Sequence, residues 1–110
     1  MSDALDEALL DELREVMGTA FDTLIDTFVA DGERRIVEIV HAPGDEALRR
    51  SAHGLKGASA NLGAVRLSTV CASLEALARN GERDGRAALI ARLHDEFAAA
   101  REALRLYAAR

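Results

Sequence analysis

The chain has 110 residues, 49% of them hydrophobic but only 4% aromatic, with one proline and one cysteine. That length closes a core without metals or disulfides, and a lone cysteine rules out an intramolecular bridge. The formal charge is −5 and is concentrated in residues 1–31, where nine acids stand against one arginine, so the basic face that nucleic-acid binding needs is lacking.

No apolar run approaches the ~18 residues of a membrane span, and the acidic start is the opposite of a signal peptide's. Cys71 alone fits a reducing compartment. The expectation is a cytoplasmic, soluble protein forming a single domain over residues 1–110. Alanine, leucine, arginine and glutamate dominate, the composition of an all-helical domain.

Residues 4–17 read as a short amphipathic helix with Leu9, Leu13, Val16 and Met17 along one side, ended by a glycine cap at Gly18. A longer helix follows to about His41, with an apolar stripe of Phe21, Leu24, Ile25, Phe28, Ile36, Ile39 and Val40. Gly32 falls on that stripe, which points to close packing against a neighbouring helix over a kink. Ala42-Pro43-Gly44-Asp45 is a turn, with Asp45 expected as the N-cap of the third helix. That helix runs to about Leu62, where Gly63 supplies a C-terminal cap. A fourth helix spans about Val65 to Asn80 and buries Leu67, Val70, Cys71, Leu74, Leu77 and Ala78. The fifth covers roughly 86–108, with Ile90, Leu93, Phe97, Leu104 and Tyr107 inward and Tyr107 at the core's edge. Short connections favour an all-α, antiparallel up-down-up-down four-helix bundle with a short additional N-terminal helix.

One stretch of the third helix is poorly built for stability alone. Ala52 to Ala64 holds one of three histidines, the only lysine and three of the eight glycines. A glycine inside a helix costs ~1 kcal/mol relative to alanine. On an ideal helical wheel Leu48, Ala52, Leu55, Ser59 and Leu62 cluster within about 80°, and His53 points roughly 130° away from their centre. His53 is therefore expected outside the core, flanked by Arg49 and Lys56, with Gly57 and Ala60 continuing its face. An imidazole with a reference pKa of ~6.5 is largely neutral near pH 7 and can act as a nucleophile. A phosphoryl group on it would place negative charge about one turn from Lys56, whose ammonium stabilises it as a compact cation.

Ala52-His53-x-Leu55-Lys56-Gly57-x-Ser59, followed by Leu62-Gly63-Ala64, resembles the signature of histidine-containing phosphotransfer (HPt) domains. The similarity continues through Leu67, Cys71, Leu74 and Glu75. The resemblance implies a carrier of phosphoryl groups between aspartates of response-regulator receiver domains. It assigns the phosphoacceptor to His53, phosphoryl stabilisation to Lys56, and clearance for the partner to Gly57. Arg79 aligns with a basic position that some members use near the phosphate, and Glu75 with a polar position nearby; an ordinary solvated role for Arg79 fits its place on the wheel equally well. Ala58 and Gly54 depart from the pattern, and neither removes a group that the chemistry requires.

The implied partners are receiver domains or a hybrid sensor histidine kinase, docking on the face around His53 and on the adjacent second helix, with Arg49, Gly54 and Ala60 in contact. Mg2+ is expected in the partner receiver and no cofactor in this chain. No glycine-rich nucleotide loop is present, so ATP-dependent kinase activity is not expected. His41, His53 and His94 fall on different elements without a metal-site spacing; His41 reads as a helix-end dipole partner, His94 as a surface or edge residue and Cys71 as a small core hydrophobe. The competing reading is a non-catalytic helical adaptor that binds a receiver or kinase without carrying phosphate. Apolar stripes that one bundle accounts for favour a monomer.

Overall fold

The computed structural model describes residues 4–110 and contains five helices: α1 (Glu7–Met17), α2 (Ala20–Val40), α3 (Asp45–Asn61), α4 (Val65–Arg79) and α5 (Arg86–Ala108). No strand occurs among the described residues. Helices α2 to α5 pack as a closed ring, α2 on α3, α3 on α4, α4 on α5 and α5 back on α2, which is the up-down-up-down bundle. The molecule measures 42 × 23 × 17 Å, with α1 laid against one end.

Each long helix buries one stripe. On α3 the stripe is Leu48, Ala52, Leu55, Ser59 and the following Leu62, all 4% exposed or less. Removing a leucine of this kind from water contributes roughly 1.5–3 kcal/mol. Gly32 is buried on α2 beneath the Phe97 ring of α5; a Cβ there would stand 2.9 Å from Phe97 Cζ. The ring also meets Phe28 at a centroid distance of 6.1 Å, so the α2–α5 seam closes around an aromatic that only a bare backbone admits.

The α3–α4 corner turns at Gly63, with φ 69°. Its carbonyl accepts from the Asp6 N–H at 2.7 Å, and a Cβ would stand 3.0 Å from the Asp6 carbonyl oxygen. The corner therefore needs glycine twice, for its left-handed backbone and for the approach of the segment leading into α1. At the same end Arg14 donates to the carbonyls of Tyr107, Ala108 and Arg110, which covers the last turn of α5.

Several side-chain expectations change. On α1 the core residue is Leu10, fully buried, while Val16 is 85% exposed and Leu9, Leu13 and Met17 are half-buried. This helix caps an end and also spends Arg14 on polar contacts, so its inward face is not its most apolar one. Val40 is exposed with Val37 on the outer face of the last turn of α2, whose inward residues are Ile36 and Ile39, and Leu77 is only half-buried. Asp45 is not the N-cap of α3: Gly44 holds that position in an extended conformation, and the Asp45 carboxylate lies 2.9 Å from Arg86 Nη1, tying the start of α3 to α5. Asn80 is the C-cap of α4. Tyr107 lies deeper than the core's edge, 2% exposed, with its hydroxyl donating to Asp11 on α1.

Candidate functional site

His53 sits midway along α3 with its side chain 62% exposed, on the face away from the buried stripe, as the helical wheel requires. Across from it, α4 carries Glu75. Its neighbours on α4, Cys71, Leu74 and Ala78, are core residues, and Glu75 itself is only 3% exposed. A carboxylate buried alone would be strongly destabilising. Here three donors converge on it. Lys56 Nζ donates to Oε1 at 2.6 Å, and Oε2 accepts from His53 Nδ1 at 2.7 Å and from Arg79 Nη2 at 3.2 Å.

The hydrogen bond from Lys56 is the largest influence on Glu75 and holds its carboxyl below the usual range; burial pushes the other way, and the His53 bond adds to the lowering. An ionised carboxylate has only acceptors, so the proton between the two groups is assigned to His53 Nδ1. The other ring nitrogen, Nε2, is left with its lone pair on the exposed edge. Buried Glu75 thus fixes both the tautomer and the direction of an exposed imidazole. Ser68 on α4 donates to the Lys56 carbonyl at 3.2 Å and adds a second link between the two helices at this level.

Gly57 lies one turn beyond His53, and a Cβ built there would find nothing within 4 Å. Ala60 is exposed further along. Together they leave an open, low-relief surface beside the ring. Arg49 and Gly54, expected on the partner-docking face, each have a close neighbour within the chain. Arg49 is engaged by Glu46, at 2.7 and 3.1 Å, and does not reach the Glu75 cluster. The room at Gly54 is taken by Arg35 of α2, whose guanidinium lies across the bare backbone. Arg35 was not legible as a site residue in the sequence, since its helical spacing gives only a half-buried polar position. The missed signal at Glu75 was available: a glutamate among Cys71, Leu74 and Ala78 calls for cations from a facing helix, and Lys56 and His53 are the candidates on α3.

Other titratable groups stand apart. His41 Nδ1 donates to the Val37 carbonyl at 3.0 Å, at the end of α2. His94 is exposed on α5. The Cys71 thiol is fully buried, and burial pushes its pKa up to about 12, so it behaves as a core hydrophobe. Among the described residues no cluster of three or more His, Cys, Asp or Glu could hold a metal ion, and no helix is long and apolar enough to cross a membrane.

The family model of the Hpt domain matches residues 23–103. The chain belongs to the Hpt domain family. Its five-helix fold is shared with solved members. Histidine-containing phosphotransfer protein B (HptB) from Pseudomonas aeruginosa PAO1 superposes with a TM-score of 0.91 at 39% identity, covering 97% of this chain and 96% of that one. A rice protein described as a histidine-containing phosphotransfer protein gives a TM-score of 0.82 at 23% identity, over 94% of this chain and 79% of that one. The maize histidine-containing phosphotransfer protein ZmHP2 gives 0.82 at 23% identity, over 96% and 89%. The two plant proteins, at this identity, speak for the fold alone. No match was found among curated proteins.

Proposed function

We propose that this Hpt domain is a phosphoryl carrier that passes the group between aspartates of response-regulator receiver domains through His53. The observation that carries the reading is the His53–Glu75 pair, an exposed imidazole whose inner nitrogen donates at 2.7 Å to a buried carboxylate. That bond leaves Nε2 as the attacking atom.

In the forward step the Nε2 lone pair attacks the phosphorus of a receiver's aspartyl phosphate. The bond from phosphorus to the aspartyl oxygen breaks in line, and the aspartate carboxylate leaves. The proton on Nδ1 stays, the ring takes up positive charge, and Glu75 beside Nδ1 offsets it. Return to a second receiver reverses these steps. Phosphoryl transfer depends on positioning and charge stabilisation more than on covalent assistance. This chain supplies the oriented nucleophile, the neighbouring Lys56 and Arg79 cations, and a face that Gly57 keeps open. The receiver supplies the acidic pocket and its Mg2+.

The test is transfer from a phosphorylated receiver in the presence of Mg2+ to the wild type and to His53→Gln. Acid-labile, alkali-stable phosphate on the wild type alone supports the carrier. Binding without transfer, across a panel of receivers, assigns the chain to the adaptor class instead. An adaptor has no use for a buried carboxylate that orients an exposed ring.

A further inference from the structure

Gly54 is the glycine of the motif that the phosphoryl chemistry leaves unused. A Cβ at this position would stand 2.7 Å from Arg35 Cζ and 3.3 Å from Nη2, so the guanidinium occupies the space a side chain would take. Arg35 is anchored from its own helix: Nε donates to Asp31 Oδ2 at 2.7 Å. Asp31 is itself held by Arg34 through its other oxygen, which fixes the carboxylate that fixes Arg35. The Asp31 bond uses only Nε. The Nη1 and Nη2 edge, which makes no hydrogen bond to the described residues, is carried across α3 at the residue next to His53. Arg35 remains 28% exposed there.

A guanidinium pinned through Nε with its terminal nitrogens unused is a planar fork that fits a carboxylate. The cleft it borders also carries Arg50, while the nearby Glu38 is engaged by Arg34 and Ser51. This positive seam lies on the α2 side of His53, and Lys56 and Arg79 gather around Glu75 on the α4 side. The two sides thus divide the work around one ring.

We infer that Arg35 is a docking residue that takes a carboxylate on the rim of the incoming receiver's acidic pocket, and that Gly54 is glycine so the guanidinium can lie across α3 beside His53. This rests on the receiver reading above. The occupant is a partner carboxylate because the unused edge of Arg35 is a cationic fork beside His53, whereas Lys56 and Arg79 are already paired with Glu75.

Arg35→Gln and Gly54→Ala test it, with affinity for a panel of purified receiver domains measured by calorimetry at low and physiological salt. Arg35→Gln should weaken binding about tenfold and flatten its salt dependence. Gly54→Ala should weaken binding too, by pushing the terminal nitrogens of Arg35 off α3, while its Tm rises because alanine is the better helix former. The hydrolytic lifetime of the phosphohistidine should stay unchanged in both. Affinity within twofold of the wild type for Arg35→Gln overturns the inference, as does a shortened phosphohistidine lifetime at unchanged affinity, which would give Arg35 to the phosphoryl group. A fall in Tm for Gly54→Ala with affinity retained reduces Gly54 to packing. Binding is read without transfer, so a wild type that binds but carries no phosphate sinks the carrier reading and leaves the Arg35 result standing; a wild type that binds no receiver sinks both.

Discussion

Glu75 Oε2 lies 2.7 Å from His53 Nδ1, joining a side chain that is 62% exposed to one that is 3% exposed. The bond engages Nδ1 and leaves Nε2 on the exposed edge, and it does so from a carboxylate that is itself buried. Glu75→Gln keeps the shape but removes the charge, and an amide can offer Nδ1 either an acceptor or a donor. Transfer to His53 should fall about tenfold or more, with helicity retained. Nitrogen NMR of the ring should show the single tautomer of the wild type replaced by a mixture.

Acid should expose the same carboxylate. Its folded pKa is depressed, chiefly by the Lys56 hydrogen bond. A depressed carboxyl contributes stability above its unfolded value of about 4.3, and that contribution disappears as pH falls through the lower folded value. Urea unfolding of the wild type should therefore lose stability steeply below about pH 4.5. Glu75→Gln has no charge to lose and should show a shallower acid limb, a difference the two pH profiles read directly.

Two glycines separate packing from docking. Gly32→Ala forces a methyl against the Phe97 ring and should destabilise the bundle by about 1–3 kcal/mol. Gly57→Ala meets nothing within 4 Å and should stabilise α3 by up to ~1 kcal/mol through helix propensity. It should nevertheless slow transfer, because the added methyl stands on the proposed docking face beside His53. Urea melts and transfer rates on the two variants should move in this crossed pattern.

Much of this was legible from spacing. The wheel separated His53 from Leu48, Ala52, Leu55, Ser59 and Leu62, and all five are buried while His53 is exposed. Gly63 and Gly32 were recognisable from their positions at a helix end and on a buried stripe. Periodicity failed where a helix does more than bury one face. On α1 it favoured Val16 over Leu10, because the helix caps the bundle's end and Arg14 serves the carbonyls of α5. At Asp45 a good capping residue was drawn away by Arg86 from a distant helix. Arg35 over Gly54 depends on the relative placement of α2 and α3, which no single-helix pattern contains.

The most direct test of the central claim is to phosphorylate the protein from a phosphorylated receiver and locate the phosphorus by through-bond phosphorus–proton and nitrogen NMR. The account predicts one phosphoryl group, on Nε2 of His53, with Nδ1 still protonated and hydrogen-bonded to Glu75, and no such signal in His53→Gln. Phosphorus on Nδ1, or the same signal surviving in His53→Gln, would contradict it.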